Sequence, residues 1–189
     1  MRKSISFLVT AATLTVVSLI AQNGKSLRAK MSSLNETPSI ATTATGSFQA
    51  KINEAETAIE YELTYEGVQG GNALFAHIHL GQKHTAGGIL AFLCGGGGKT
   101  ACPATSGTVK GTIAAGDIQA IAAQGVAAGD LAKALRVMRD GATYVNVHST
   151  TFAGGEIRGQ INDPEKGGGN GNGKGNGNGK GKDKDKDEK

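Results

Sequence analysis

In the segment TAIEYELTYEG, Ile59, Tyr61, Leu63 and Tyr65 alternate without a break with Glu60, Glu62, Thr64 and Glu66. An extended chain sends successive side chains to opposite faces, whereas a helix would scatter these apolar residues around its circumference. The segment therefore reads as a strand with one face buried and one in water, the pattern of an antiparallel sheet. Other stretches carry the same rhythm. GSFQAKI opens the domain, and QGGN is a turn. ALFAHIHL follows, with Leu74, Ala76, Ile78 and Leu80 on one face and Ala73, Phe75, His77 and His79 on the other. Ile89 to Leu93 is a short apolar run suited to a buried strand, and SGTVKGTI places Val109, Gly111 and Ile113 inward. Two more strands, TYVNVHS and GEIRGQI, should direct Val145, Val147, Ile157 and Ile161 to the core. Between them and the earlier strands, Leu131, Leu135 and Met138 recur at helical spacing behind Asp130, a candidate cap, so a short helical insertion is expected over residues 117–140. Several short alternating strands separated by glycine-containing turns argue for an antiparallel β-sandwich, immunoglobulin-like or superoxide-dismutase-like, or for a barrel.

The ends of the chain have a different character. Residues 1–21, MRKSISFLVTAATLTVVSLIA, place two positive charges before an uncharged apolar run that ends in Ala21, the pattern of a secretory signal peptide. The competing reading is a retained membrane anchor, near the lower length limit for a spanning helix. No cysteine directly follows the segment, which argues against lipoprotein anchoring. Residues 22–44 lack periodicity over MSSLNETPSIATTAT and read as a flexible lead-in, and residues 164–189 are mostly Gly, Asn, Lys and Asp. Such a tail has no apolar area to offset the entropy of ordering and is expected to be disordered. Removing both ends leaves about 130 residues, one ordinary domain, assigned to residues 45–163.

Cys94 and Cys102 are the only two cysteines and flank GGGGKTA. In an oxidising compartment such a pair is most simply a local disulfide; a thiolate metal site would need further ligands. The glycines before Lys99 and Thr100 superficially resemble a phosphate-binding loop, but Ala101, Cys102 and Pro103 follow where a helix should begin. Ser106 and Ser149 lack the elbow motif of a hydrolase nucleophile. The net charge of +4 is thinly spread and the chain has no Trp, which argues against a nucleic-acid partner.

The chemistry-bearing residues are histidines. His77 and His79 are two apart and share a strand face, and His148 from a later strand could complete a three-imidazole cluster for copper or zinc. On the alternation, all three lie on faces turned from the apolar residues, so a shared site is expected on the outside of the sheet. Asn146 could orient His148, and Glu156 could hydrogen-bond the histidines. Without a metal, the histidines would only bond backbone carbonyls or Glu156, and Arg158 would pair with a carboxylate such as Glu62.

The blocks AHIHLG, YVNVH and GEIRGQI, in that order, resemble the CHRD domain, the module repeated in chordin and found alone in many bacterial secreted proteins. The resemblance covers roughly Thr45 to Ile161 and implies a β-sandwich. In chordin the modules belong to a protein that binds growth factors. A more distant likeness is to copper/zinc superoxide dismutase, which would make His77, His79 and His148 copper ligands and Arg158 the group that guides an anion to the metal. The match departs from that enzyme where a bridging histidine belongs: His84 lies only five residues after His79, no further zinc ligands are present, and the disulfide is local.

Three functions follow as expectations. The first is a secreted or periplasmic binding module of the cell envelope or extracellular space, able to carry one copper or zinc ion, with an unidentified extracellular or envelope partner and no stable membrane insertion after signal cleavage. The second is a mononuclear copper oxidoreductase, and the third a structural matrix protein.

Overall fold

The computed structural model describes residues 25–162. The expected signal peptide and the 164–189 tail lie outside the described residues. In chain order the strands are β1 (Ser26–Ser32), β2 (Thr45–Ile52), β3 (Ala58–Glu66), β4 (Ala73–Leu80), β5 (Gly88–Cys94), β6 (Gly107–Ala114), β7 (Thr143–Ser149) and β8 (Ile157–Ile161), with helix α1 (Leu131–Arg139) between β6 and β7. All eight form one antiparallel sheet in the order β5-β4-β7-β8-β1-β2-β3-β6. The sheet folds over so that its two halves share one apolar core, to which β3 contributes Ile59 and Leu63 and β5 contributes Leu90 and Leu93. Tyr61 of β3 bridges the layers by donating its hydroxyl proton to the Leu93 carbonyl of β5 at 2.7 Å. No helix among the described residues is long and apolar enough to cross a membrane.

The alternation in β3 is realised as expected, with Ile59, Tyr61, Leu63 and Tyr65 all buried. Val145, Val147, Ile157 and Ile161 are each fully buried, as are Val109 and Ile113 or nearly so. Gly111 sits between these last two on β6 because the Tyr61 ring lies over it; a Cβ there would come within 2.5 Å of the Tyr61 hydroxyl. Helix α1 begins at Asp130, whose carboxylate accepts from the Lys133 amide at 3.0 Å. It buries Leu131, Ala134, Leu135, Val137 and Met138 along one stripe, the periodicity expected of an amphipathic helix on a sheet. The Cys94–Cys102 disulfide is formed and closes the start of the β5–β6 connection.

Two expectations need correction. The stretch read as a flexible lead-in contains β1, which lies inside the sheet between β8 and β2, with Leu27, Ala29 and Met31 buried. Its seven residues alternate as cleanly as those of β3, and they pair with β2 from Ser26↔Lys51 to Ser32↔Thr45. The domain therefore begins well before Thr45. The second correction concerns Leu74, expected in the core but 41% exposed. The β4–β7 register shifts between Ala73 and Phe75, so the alternation slips there and Ala73 and Ala76 take the inward positions.

Candidate metal centre

Strands β4 and β7 are hydrogen-bonded neighbours, with His77 opposite Asn146, His79 opposite Tyr144 and Phe75 opposite His148. Directly opposed and diagonal side chains on one face of an antiparallel pair touch, so this register gathers His77, His79 and His148 from positions about seventy residues apart. One candidate ligand nitrogen from each lies within 4.8 Å of the other two. His77 Nδ1 and His148 Nε2 are 3.1 Å apart. His84 takes no part; it is exposed in the β4–β5 loop at a positive φ of 63°.

The expectation that this face is open to solvent is corrected. His77, His79 and His148 are only 5%, 7% and 8% exposed. Loops cover them: Gly87 and Ala153 present carbonyls to His79 and His148, and Glu36 descends beside Asn146 from the segment after β1. The ring of Phe92 meets His77 edge-on at 4.6 Å, Phe75 stacks on it at 5.8 Å, and Tyr144 lies parallel to His79 at 4.8 Å. Burial holds His77 down to about 3 and His79 down to about 4, and lowers His148 as well. All three imidazoles are therefore neutral at neutral pH, the form that binds a metal.

Their proton positions follow from their partners. His79 Nδ1 faces the Gly87 carbonyl at 3.0 Å and His148 Nδ1 faces the Ala153 carbonyl at 2.8 Å. A carbonyl can only accept, so in each neutral ring Nδ1 carries the proton and Nε2 the lone pair. These are the carbonyl contacts of the purely structural reading, and they are also the outer contacts that orient imidazole ligands around a metal. His79 Nε2 is buried without a hydrogen-bond partner. Asn146 Oδ1 lies 2.9 Å from His148 Nε2, an acceptor facing an acceptor that is relieved by a nearby cation or by turning the amide over. The donor set thus fits copper or zinc. Two nitrogens bound at about 2 Å to one ion cannot be more than about 4 Å apart, so the widest pair must close by roughly 1 Å on binding.

Other expected site residues are placed elsewhere. Glu156 is fully buried, but it accepts from the amides of Gln69 and Gly70 and from Ser149 Oγ, so it anchors the β3–β4 turn and not a histidine. Arg158 does not pair with Glu62, which meets Lys110 at 2.7 Å. Its guanidinium lies 3.4 Å above the Tyr144 ring, and its Nη2 donates to the Gln82 and Thr85 carbonyls at 2.9 and 2.8 Å. At 3% exposure it is a latch for the β4–β5 loop and not an open anion guide.

Sequence reasoning missed Glu36. Its Oε1 is buried without a partner, and burial pushes the carboxyl up to about 7 against the lowering pull of Arg158. Gly155 makes room for it: a Cβ there would collide with Glu36 Oε1 and Asn146 Nδ2, and φ is +129°. No local pattern signals this residue, because it reaches the site only through the turn that follows β1.

Searches of curated proteins and of solved structures found no match. The family model for the CHRD domain matches residues 27–161, beginning inside β1 and ending at the last residue of β8. The chain therefore belongs to the CHRD domain family.

Proposed function

We propose that this CHRD domain is an exported binding module that carries one copper or zinc ion on His77, His79 and His148. The observation that carries the proposal is the buried convergence of three neutral imidazoles, one of which has a ring nitrogen with no other partner. A nitrogen-only donor set suits copper and zinc over magnesium or calcium, and three protein ligands leave a further coordination position open. The disulfide accords with an oxidising compartment. The commitment of Arg158 to loop carbonyls favours binding over anion-consuming redox chemistry.

Titration calorimetry of Cu²⁺ and Zn²⁺ into the full chain tests this. One-to-one binding at micromolar affinity or better is expected, weakened at least about tenfold by His79→Phe, a substitution that keeps a ring in contact with Tyr144. No binding by a folded wild-type protein would overturn the proposal and leave the histidines as packing residues.

A further inference from the structure

Six cations among the described residues, Lys25, Lys99, Lys110, Lys133, Arg136 and Arg139, pair with carboxylates. Arg28, Lys30 and Lys83 do not, and all three line one groove on the outer face of β8, β1 and β2. No carboxylate lines that groove among the described residues; Asn35, Ser47, Gln49, Gln160 and Asn162 supply its other exposed or half-exposed polar groups. The remaining exposed unpaired lysine, Lys51, lies outside it, opposite Glu60 in the β2–β3 register. Among the described residues, the exposed cations without an ion-pair partner therefore fall mainly in this groove, Arg28 also bordering the neighbouring cleft that Glu60 and Glu62 line.

The groove is built on rigid parts. Its floor is the buried pair Ala29 and Phe48, on adjacent strands. Arg28 and Asn162 exchange backbone hydrogen bonds at 3.4 and 3.0 Å, which fixes one end. Gln160 donates through Nε2 to the Gly81 and Gly141 carbonyls at 3.0 and 2.8 Å, and Arg158 holds Gln82 and Thr85, so the loop bearing Lys83 is tied down on both sides. Binding there would not have to order the backbone first.

We infer that this groove binds an acidic polysaccharide, a chain of uronate-type sugars, at a site separate from the histidine cluster. The charges are spaced, since Arg28 and Lys30 are two residues apart on one strand, roughly 7 Å, and Lys83 reaches in from a loop across β8. A repeating anion matches such spacing better than a single phosphate. Carboxamide and hydroxyl groups between the cations complement sugar hydroxyls. Phe48, the aromatic residue of the groove, is 1% exposed and offers no platform for base stacking, which disfavours single-stranded nucleic acid.

The test is titration of the full chain with a decamer of galacturonate at low salt. The expected result is binding that weakens as salt rises and that falls at least about tenfold in the triple variant Arg28→Gln, Lys30→Gln, Lys83→Gln. The charge-matched variant Lys25→Gln, Lys110→Gln, Lys133→Gln should lose less than about threefold. Amide chemical-shift changes in the wild type should cluster at Gln49, Ser47 and Asn162, a readout independent of any variant's folding. No binding, equal loss in both variants, shift changes elsewhere, full competition by equimolar sulfate, or tighter binding of single-stranded DNA of the same length would each overturn the assignment.

Discussion

Placing three neutral histidines and one raised carboxyl in the same buried region makes the metal-free domain's stability depend on pH with a slope that can be worked out. A histidine whose folded pKa is depressed stabilises above its unfolded value, and that stability is lost as pH falls toward the folded value. For His77 and His79 the window runs from the ordinary 6.5 down to about 3 and about 4. Glu36 has the opposite sign: held up to about 7 from 4.5, it contributes most below the lower value and loses that contribution as pH rises through the higher one. At pH 5.5 an unfolded histidine carries about 0.9 proton, so unfolding takes up about 1.8 protons at His77 and His79 and releases about 0.9 from Glu36. The net uptake of about one proton means that stability falls by roughly 1.2 kcal/mol for each pH unit of acidification, and His148, also depressed, steepens the fall.

The perturbation that exposes this balance is Glu36→Gln, which removes the opposing proton and should raise the slope to roughly 2.5 kcal/mol per pH unit. His79→Phe should lower it by about 1.2 kcal/mol per unit instead. The assay is urea unfolding in the presence of a chelator at half-unit steps from pH 5 to 6.5, followed by circular dichroism. A wild-type stability that stays flat across this range, or a Glu36→Gln slope no steeper than wild type, would refute the account of a buried, neutral imidazole cluster opposed by a protonated carboxyl.

Other consequences can be checked on the same protein. Zinc at one hundred times its dissociation constant should stabilise the fold by about 2.7 kcal/mol, raising the melting temperature by roughly 10 °C in wild type and not in the His77, His79, His148→Ala variant. Replacing Cys94 and Cys102 by Ser opens a loop whose ends are 8 residues apart in sequence; denaturant titration should show a loss of about 2 to 3 kcal/mol, and no loss would mean the disulfide only decorates the connection. Phe48→Ala removes a side chain 1% exposed from the core and should cost about 3 to 5 kcal/mol by the same assay. Gly155→Ala should destabilise and move the Glu36 carboxyl titration seen by NMR, because it crowds Glu36 at a backbone angle that favours glycine.

What the sequence determined by itself is what local periodicity can encode. Alternation in TAIEYELTYEG and TYVNVHS specified strands and which residues face inward, because the pleat ties side-chain direction to position with a period of two. The same rule put His77 and His79 on one face, and the spacing of Leu131, Leu135 and Met138 behind Asp130 marked the helix. SLRAKMS carries an equally regular pattern, yet it is short, charged and followed by irregular chain, so only its insertion between β8 and β2 reveals it as an interior strand. The bulge at Leu74 depends on how β4 meets β7, which no window along β4 contains.

The site itself was decided by tertiary structure. Pairing β4 with β7 on one of its two edges is what brings His148 to His77, and the cover supplied by loops from distant segments turns an outer sheet face into a buried one. That cover sets the protonation of the imidazoles, commits Arg158 to loop carbonyls and carries Glu36 into the polar cluster. Charge state and exposure depend on everything packed around a group, and the neighbours that fix them here include residues more than one hundred positions away along the chain, as Arg158 is from Glu36.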